Sequence, residues 1–483
     1  MKGGKGGGGA GGRAGGRRGG PPGRARRPDR HRRRVGAREL SLQILLAAEG
    51  RGAYTDRLLE TRLRESGLGG SDAALATSLV QGTLRHRALL DHHLAAFTRD
   101  GFDRLPGAIR TALRLGAYQI LVLTRIPFSA AVDESVELAK RYGHPGTAGL
   151  VNAVLRRLAA GDRAPLPDRA ADPGGYLAVA HSHPRWLAER WLGRYGFEEA
   201  EALLRADNTE PSVSVRPNAH RIGPDRLVEL LRAEGMDPAP GPNGGPVFLL
   251  SGGYVASRSP LFRDGLLSLQ DEAEACVPMI LDPRPGERVL DLCAAPGGKA
   301  SQIAERTAPG GMLAAVEVQP GRARALRDNL KARLRLPGAE VVCADGRMPP
   351  FRPATFDRVL LDAPCTGLGV LRRRADARWR KEERSIATLA ALQRELLERA
   401  AALTRPGGVL VYSVCSLEPE ETDSIVESFL SSHPEFRRED ARPFLPPAFS
   451  GPEPVFRAFP HRHGTDGVYA ARVRRRGGGF RDG

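Results

Sequence analysis

The chain has 483 residues, 41% hydrophobic and 27% charged, which excludes a wholly disordered or fibrous protein, and its length suggests about three domains. The formal net charge of +17 comes from 73 basic against 56 acidic side chains. No run approaches the ~20 apolar residues of a membrane helix.

Residues 1–34 hold 12 Lys/Arg, a single acid (Asp29) and 13 Gly, so they carry +11 of the +17. Such a tail buries no apolar surface and is expected to be disordered. Two readings of it stand: loose, salt-sensitive contact with nucleic acid, or a solvated extension. It lacks the apolar stretch of a secretory signal. The five cysteines, Cys276, Cys293, Cys343, Cys365 and Cys415, are odd in number and form no CxxC pair. A disulfide scaffold and a zinc ribbon are therefore disfavoured. Reduced thiols in a cytoplasmic protein without a metal are expected.

From Val35 the pattern is helical. Leu90, Leu94 and Phe97 share one face, as do Leu113, Ala117 and Ile120. Gly and Pro punctuate the segments at Gly67–Gly70, Leu105–Gly107 and His144–Gly146. This predicts an all-helical domain over 35–165. Its segments Leu113–Ile120, Ala131–Lys140 and Val151–Leu158 resemble the NusB-like RNA-binding helical domain. Residues 166–280 read as a small α/β module, with a helix over Trp186–Arg205, a strand over Ser212–Asn218, a helix over Asp225–Glu234 and a strand over Val247–Leu250.

Over 281–474 short apolar runs alternate with amphipathic ones. Strands are predicted at Arg288–Leu292, Met312–Val316, Val341–Cys343, Arg358–Leu361 and Val409–Ser413, with helices such as Gly321–Leu334 and Ser385–Leu403 between them. That alternation implies a parallel sheet covered on both faces. Val468–Val473 reads as a late antiparallel strand, and 475–483 as a tail.

Parallel sheets bind ligands beyond the carboxyl ends of their strands. Five such ends carry unusual residues: Cys293-Ala294-Ala295-Pro296-Gly297-Gly298-Lys299, then Glu317, Asp345, Asp362 with Cys365, and Cys415. Small residues let a ligand approach the backbone, and the following helix offers free N–H groups. An acid at the spacing of Glu317 typically meets ribose hydroxyls. No phosphate-cradling GxxxxGK[ST] loop exists, so a nucleoside cofactor without phosphates, S-adenosylmethionine, is the natural candidate. Burial as small hydrophobes is expected for Cys276 and Cys343, and Cys293 is expected to pack in the cofactor loop. If the strands before Cys365 and Cys415 are neighbours, two thiols face one substrate. A thiolate adding to carbon 6 of a pyrimidine makes carbon 5 nucleophilic enough to take a methyl group. Lys299 and Arg372–Arg374 would supply a cationic setting, and Asp362 would hold the base edge.

Val289–Lys299, Leu361–Gly367, Ser413–Glu421 and Gly464–Gly467 together resemble the RNA (cytosine-C5) methyltransferase (Sun/Fmu) family. With the helical domain in front, the whole is similar to its bacterial members acting on 16S rRNA. The resemblance implies a Rossmann-like methyltransferase domain that uses S-adenosylmethionine held by Cys293–Lys299, Glu317, Asp345 and Asp362. It implies Cys415 as nucleophile, Cys365 in product release, a 16S rRNA substrate, and a monomer away from membranes. Glu317 stands where the family commonly has Asp, and Ala375 replaces a Pro. A non-catalytic RNA-binding, antitermination-like factor and a DNA cytosine-C5 methyltransferase remain as alternatives.

Overall fold

The computed structural model describes residues 1, 3, 35–51, 55–99, 101–251 and 254–477. The tail expected over 1–34 lies outside the described residues but for Met1 and Gly3. Of the tail expected over 475–483, Arg475 closes a strand, Arg476 and Gly477 follow it, and the rest lies outside.

The N-terminal region is a helical bundle of α1 (Ala37–Arg51), α2 (Thr55–Ser66), α3 (Gly70–Arg85), α4 (Arg87–Ala96), α5 (Gly107–Leu121), α6 (Phe128–Tyr142) and α7 (Pro145–Ala159). The predicted faces point inward: Leu90, Leu94, Leu113, Ala117 and Ile120 are buried, and Phe97 packs against them. Pro145 opens α7, where its missing N–H costs nothing. The His144 N–H donates to the Thr147 hydroxyl at 3.0 Å and caps that helix.

Next come α8 (Pro173–Ala180), α9 (Arg185–Tyr195) and α10 (Phe197–Ala206). The single helix expected over Trp186–Arg205 is thus two, broken at Gly196, whose φ of +78° a helix cannot contain. These helices bury Leu177, Leu187, Trp191 and Leu203 against Leu368, Leu371, Ile386 and Leu417 of the C-terminal region. A four-stranded antiparallel sheet follows, in the order β2-β3-β1-β4, formed by β1 (Val213–Pro217), β2 (Asp237–Pro240), β3 (Phe248–Ser251) and β4 (Leu267–Leu269). Helix α11 (Pro224–Ala233) closes its core through Leu227 and Leu231 on Val215 and Leu250. The sequence Asp-Pro-Ala-Pro of β2 carries no apolar alternation, and such a strand is tolerated only at an edge, where it lies. The short α12 (Pro260–Arg263) leads into β4.

The C-terminal region is built on β5 (Arg288–Asp291), β6 (Met312–Glu317), β7 (Ala339–Cys343), β8 (Phe356–Asp362), β9 (Thr404–Val414), β10 (Phe436–Glu439), β11 (Phe456–Ala458) and β12 (Val468–Arg475). The strand order is β10-β12-β9-β8-β5-β6-β7, with β11 on β12. β5 to β9 are parallel; β12 is antiparallel to β9, with Ala470 opposite Ser413. Successive residues point to opposite faces. Val289, Leu313, Leu360 and Val411 therefore meet α13 (Glu272–Leu281), α14 (Gly298–Thr307) and α15 (Pro320–Arg327). Leu290, Ala314, Val359 and Leu410 meet α16 (Arg384–Leu403) and α17 (Asp423–Ser432). The helix expected over Gly321–Leu334 is α15 continued by a π-helical turn, Asp328–Arg333. The last short helix is α18 (Pro460–His463).

The chain fills one half of the sheet with β5, β6 and β7, then returns to the other side of β5 with β8. The crevice above the β5–β8 boundary is the topological switch point, where such sheets bind ligands. Beyond β8, a loop reaches the helical bundle. Ala375 is buried in the bundle's own core, Thr55 donates both its N–H and its hydroxyl to Asp376, and the Trp379 indole donates to the Leu84 carbonyl at 2.8 Å.

Candidate active site

Two loops place the sulfurs. Strands β8 and β9 are parallel neighbours with Asp362 beside Ser413, so the residues just past both ends share one edge. The Ala363 N–H donates to the Ser413 carbonyl at 2.8 Å, and the Gly369 N–H to the Cys415 carbonyl at 3.0 Å. The outcome is a Cys365 Sγ to Cys415 Sγ distance of 3.1 Å between two free, partly exposed thiols. Cys415 is held below the ordinary thiol range, first by the hydrogen bond from Cys365, with Lys299 and Arg374 adding to it against burial and Asp362. Cys365 is pushed well up by that same shared hydrogen bond and by burial. One sulfur is therefore disposed to be thiolate and the other to keep its proton.

Lys299, in the first turn of α14, is nearly buried. Its ammonium lies 2.8 Å from the Asp362 carboxylate and also bonds Glu274 of α13. The Arg run divides. Arg373 donates to Asp271 and Asp466, both at 2.7 Å, and Arg372 to Asp466 at 2.9 Å and the Gly464 carbonyl at 2.7 Å. Those two cations are spent on carboxylates. Arg374 alone of the three favours the Cys415 thiolate, so the cationic setting expected of Arg372–Arg374 narrows to Arg374 and Lys299.

On the other side of the switch point, Cys293–Gly298 forms the turn from β5 into α14. Gly297 takes φ +107°, and a Cβ there would stand 2.7 Å from the Leu326 side chain, so only glycine fits. Beside it, Gly298 is open: the nearest atom to a Cβ would be in Gln270, 3.9 Å away. Burial pushes the Cys293 thiol up, aided by the carboxylates of Asp291, Asp362 and Glu317; it packs beside the core of β5 and β6. Glu317 ends β6, buried, accepting the Gln319 N–H at 2.8 Å with Arg322 at 3.3 Å. Asp345, after β7, is half-buried and chelates Arg347 at 2.7 Å, which draws its carboxyl below the usual range. Asp291 is wholly buried, and no donor reaches its Oδ1. Burial first, and Asp362 next, push its carboxyl up to about 8. An uncrowded floor of small residues, the N-terminus of α14, and the carboxylates Glu317 and Asp345 beyond two adjacent strands fit a nucleoside cofactor without phosphates. Among the described residues no group of three or more His, Cys, Asp or Glu is placed to hold a metal ion, and no helix is long and apolar enough to cross a membrane.

Cys276 is buried as expected, whereas Cys343 is exposed. It is the last residue of the edge strand β7, on the same face as the buried Ala339 and Val341 but at the strand's open end. Sequence reasoning overlooked several groups. Asp291 is an acid at a strand end like the others, but it lies inside the apolar run and reads as strand. Glu421 and Asp466 lie in recognised motifs without an evident chemical task. Glu274 and Asp271 belong to no loop after a strand of the parallel sheet, and no sequence signal marks them.

Residues 278–474 match the family described as 16S rRNA methyltransferase RsmB/F, residues 36–160 the NusB family, and residues 183–254 the RsmF/B-like ferredoxin-like domain. A Bacillus subtilis protein, "Probable ribosomal RNA small subunit methyltransferase B", is 34% identical over 455 residues, 92% of this chain and 100% of the relative. The "Ribosomal RNA small subunit methyltransferase B" of Erwinia tasmaniensis is 34% identical over 412 residues, 85% of this chain and 92% of its own. Among solved structures, that of PH0851 superposes with a TM-score of 0.77 at 27% identity, covering 91% of this chain and 98% of that one.

Proposed function

The chain belongs to the 16S rRNA methyltransferase RsmB/F family, and from that premise we propose that it methylates carbon 5 of a cytosine in 16S rRNA, with Cys415 as nucleophile. The observation that carries this reading is the pair of sulfurs 3.1 Å apart at the carboxyl ends of β8 and β9, beside Lys299 and Asp362. S-adenosylmethionine, when bound over Cys293–Lys299 and against Glu317, Asp345 and Asp362, supplies an electrophilic methyl group.

The chain's own groups do the rest. The Cys415 thiolate bonds to carbon 6 of the flipped base, and the ring's carbon 5 gains the electron density to take the methyl. Asp362, fixed by Lys299, orients the base through its polar edge. Solvent water, acting as base in this partly exposed site, takes the carbon 5 proton; the electrons of that C–H bond restore the double bond as the bond from sulfur to carbon 6 breaks, returning the electron pair to Cys415. Cys365, which holds its proton, assists this release. The N-terminal bundle, keyed to the loop after Cys365 through Ala375, Asp376 and Trp379, is assigned to holding rRNA. Acting on 16S rRNA places the protein in the cytoplasm. Family membership favours this reading over the DNA-directed and non-catalytic ones.

Bisulfite mapping of 16S rRNA from a deletion strain, complemented with wild type or Cys415→Ala, tests the function. One cytosine should lose its modification and regain it only with wild type; an unchanged map would sink the proposal. Cys415→Ala should abolish turnover, while Cys365→Ala should accumulate a covalent protein–RNA adduct. Reversed phenotypes would exchange the two roles.

A further inference from the structure

The two thiol-bearing loops leave the sheet separately, yet their sulfurs lie closer than two sulfurs ordinarily rest. Strand pairing ends at Asp362 and Ser413. Beyond it the loops are tied by the side chain of Glu421, which closes the Cys415 loop in the turn before α17 and is fully buried. Its Oε1 accepts the Thr366 N–H at 2.9 Å and the Gln393 amide at 2.9 Å. Its Oε2 accepts the Ser416 hydroxyl at 2.5 Å and the Thr366 hydroxyl. Thr366 is the residue after Cys365, and Ser416 the residue after Cys415. Gln393 of α16 also donates to the Pro364 carbonyl at 2.9 Å, and Tyr412 of β9 donates to the Glu421 carbonyl at 2.7 Å.

Burying a carboxylate costs several kcal/mol unless donors surround it. Here four donors converge on two oxygens, a backbone N–H and an amide on Oε1 and two hydroxyls on Oε2. Because hydroxyls accept as well as donate, a carboxamide could keep these contacts, and only removal of the head group opens the clamp. Nothing in catalysis by Cys415 or Cys365 requires this group, and it is too deep to meet substrate.

We propose that Glu421 is a positioning residue that clamps the loop of Cys365 to the loop of Cys415, fixing the sulfur–sulfur contact and keeping the two thiols chemically distinct. The proposal deepens the thiolate reading of the site and rests on it. The asymmetry of the pair agrees: Cys365 is pushed up by its bond to Cys415, by burial and by the charges of Cys415 and Glu421, whereas Cys415 is drawn down. With the carboxylate gone, the loops separate, the shared hydrogen bond lengthens, and both sulfurs drift towards ordinary thiols.

The test is alkylation of the RNA-free, full-length protein with iodoacetamide at neutral pH, with each cysteine followed by peptide mass. In wild type, Cys415 should react about tenfold or more faster than Cys365, the ratio that one unit of difference in ionisation produces. In Glu421→Ala the ratio should collapse towards one. With 16S rRNA, kcat should fall at least tenfold while the KM for S-adenosylmethionine holds within about twofold. A wild-type ratio and wild-type kcat in Glu421→Ala would overturn the proposal. If Glu421→Ala does not fold, Thr366→Val, which removes one clamp hydroxyl and keeps the backbone bond, carries the same test: an intermediate ratio supports the clamp and an unchanged one overturns it. Alkylation needs no RNA. A shifted ratio in a protein whose wild type methylates no cytosine would therefore sink the function and leave the clamp standing.

Discussion

Lys299→Met removes one charge from the centre of the site with little change in volume. The Lys299 ammonium lies between the carboxylates of Asp362 and Glu274 and favours the thiolate of Cys415. Its loss acts twice in one direction: the stabilising cation goes, and Asp362 is left unneutralised beside the sulfur. One charge at about 4–8 Å, in an effective dielectric of about 20–40, is worth about 1–4 kcal/mol. The side chains of Asp362 and Glu274 are 29% and 22% exposed, so water screens part of this and the lower end applies. That predicts about fivefold less thiolate at neutral pH. A cation favours the ionised sulfur, so without it ionisation needs higher pH, and the rising limb of kcat/KM should move to the alkaline side. The assay is methyl transfer to deproteinised 16S rRNA across pH 6–10, with Lys299→Arg as the charge-retaining control. The deficit of Lys299→Met should shrink as pH rises, and Lys299→Arg should keep the wild-type limb. A profile depressed equally at every pH would refute the reasoning, because it would mean that Lys299 binds substrate or cofactor without charging the thiol.

Three further outcomes follow from the geometry. Asp291 holds its proton up to about pH 8 in the folded state, against about 4 unfolded. Its contribution to stability is therefore full below pH 4 and lost as pH rises towards 8; Asp291→Asn should flatten the decline of the melting temperature between pH 5 and 8. Arg378 is fully buried and donates to the Asn208 side chain at 2.8 Å and to the carbonyls of Asp207 and Ser182 at 3.0 and 3.1 Å. Arg378→Met strands those acceptors and the buried Asp207, so unfolding in urea should come earlier by about 3 kcal/mol. Aromatic residues are only 5% of the chain, so under the proposed function rRNA should be held mainly through phosphates, and affinity should drop by about a thousandfold between 50 and 200 mM salt for six phosphate contacts; a flat response in a filter-binding titration would contradict this.

Features written in contiguous residues were legible without coordinates. The short apolar runs of β5, β6, β8 and β9, the helical faces of the bundle, and the loops Cys293–Lys299, Leu361–Gly367 and Ser413–Glu421 are all written in neighbouring residues and depend on local geometry. So does the placement of Glu317, Asp345, Asp362 and Cys415 just past strand ends. Legibility failed where the neighbour is distant in the chain. The sulfurs are 50 residues apart, Lys299 and Asp362 are 63 apart, and Glu421 reaches Thr366 across 55. Arg372 meets Asp466 across 94 residues, which is why a run of three arginines that reads as a cationic rim turns out to spend two of its charges internally. The edge strand β2 escaped because exposure on one side relaxes the alternation a buried strand must show. Composition and pattern determined by themselves that a parallel sheet with a glycine-rich loop after its first strand and two thiols after later ones exists. Only the packing of β8 beside β9 decided that the thiols touch, which carboxylates surround them, and which of the two sulfurs is left holding the proton. Electrostatic energy depends on distances through space, and the order of residues along the chain does not contain them.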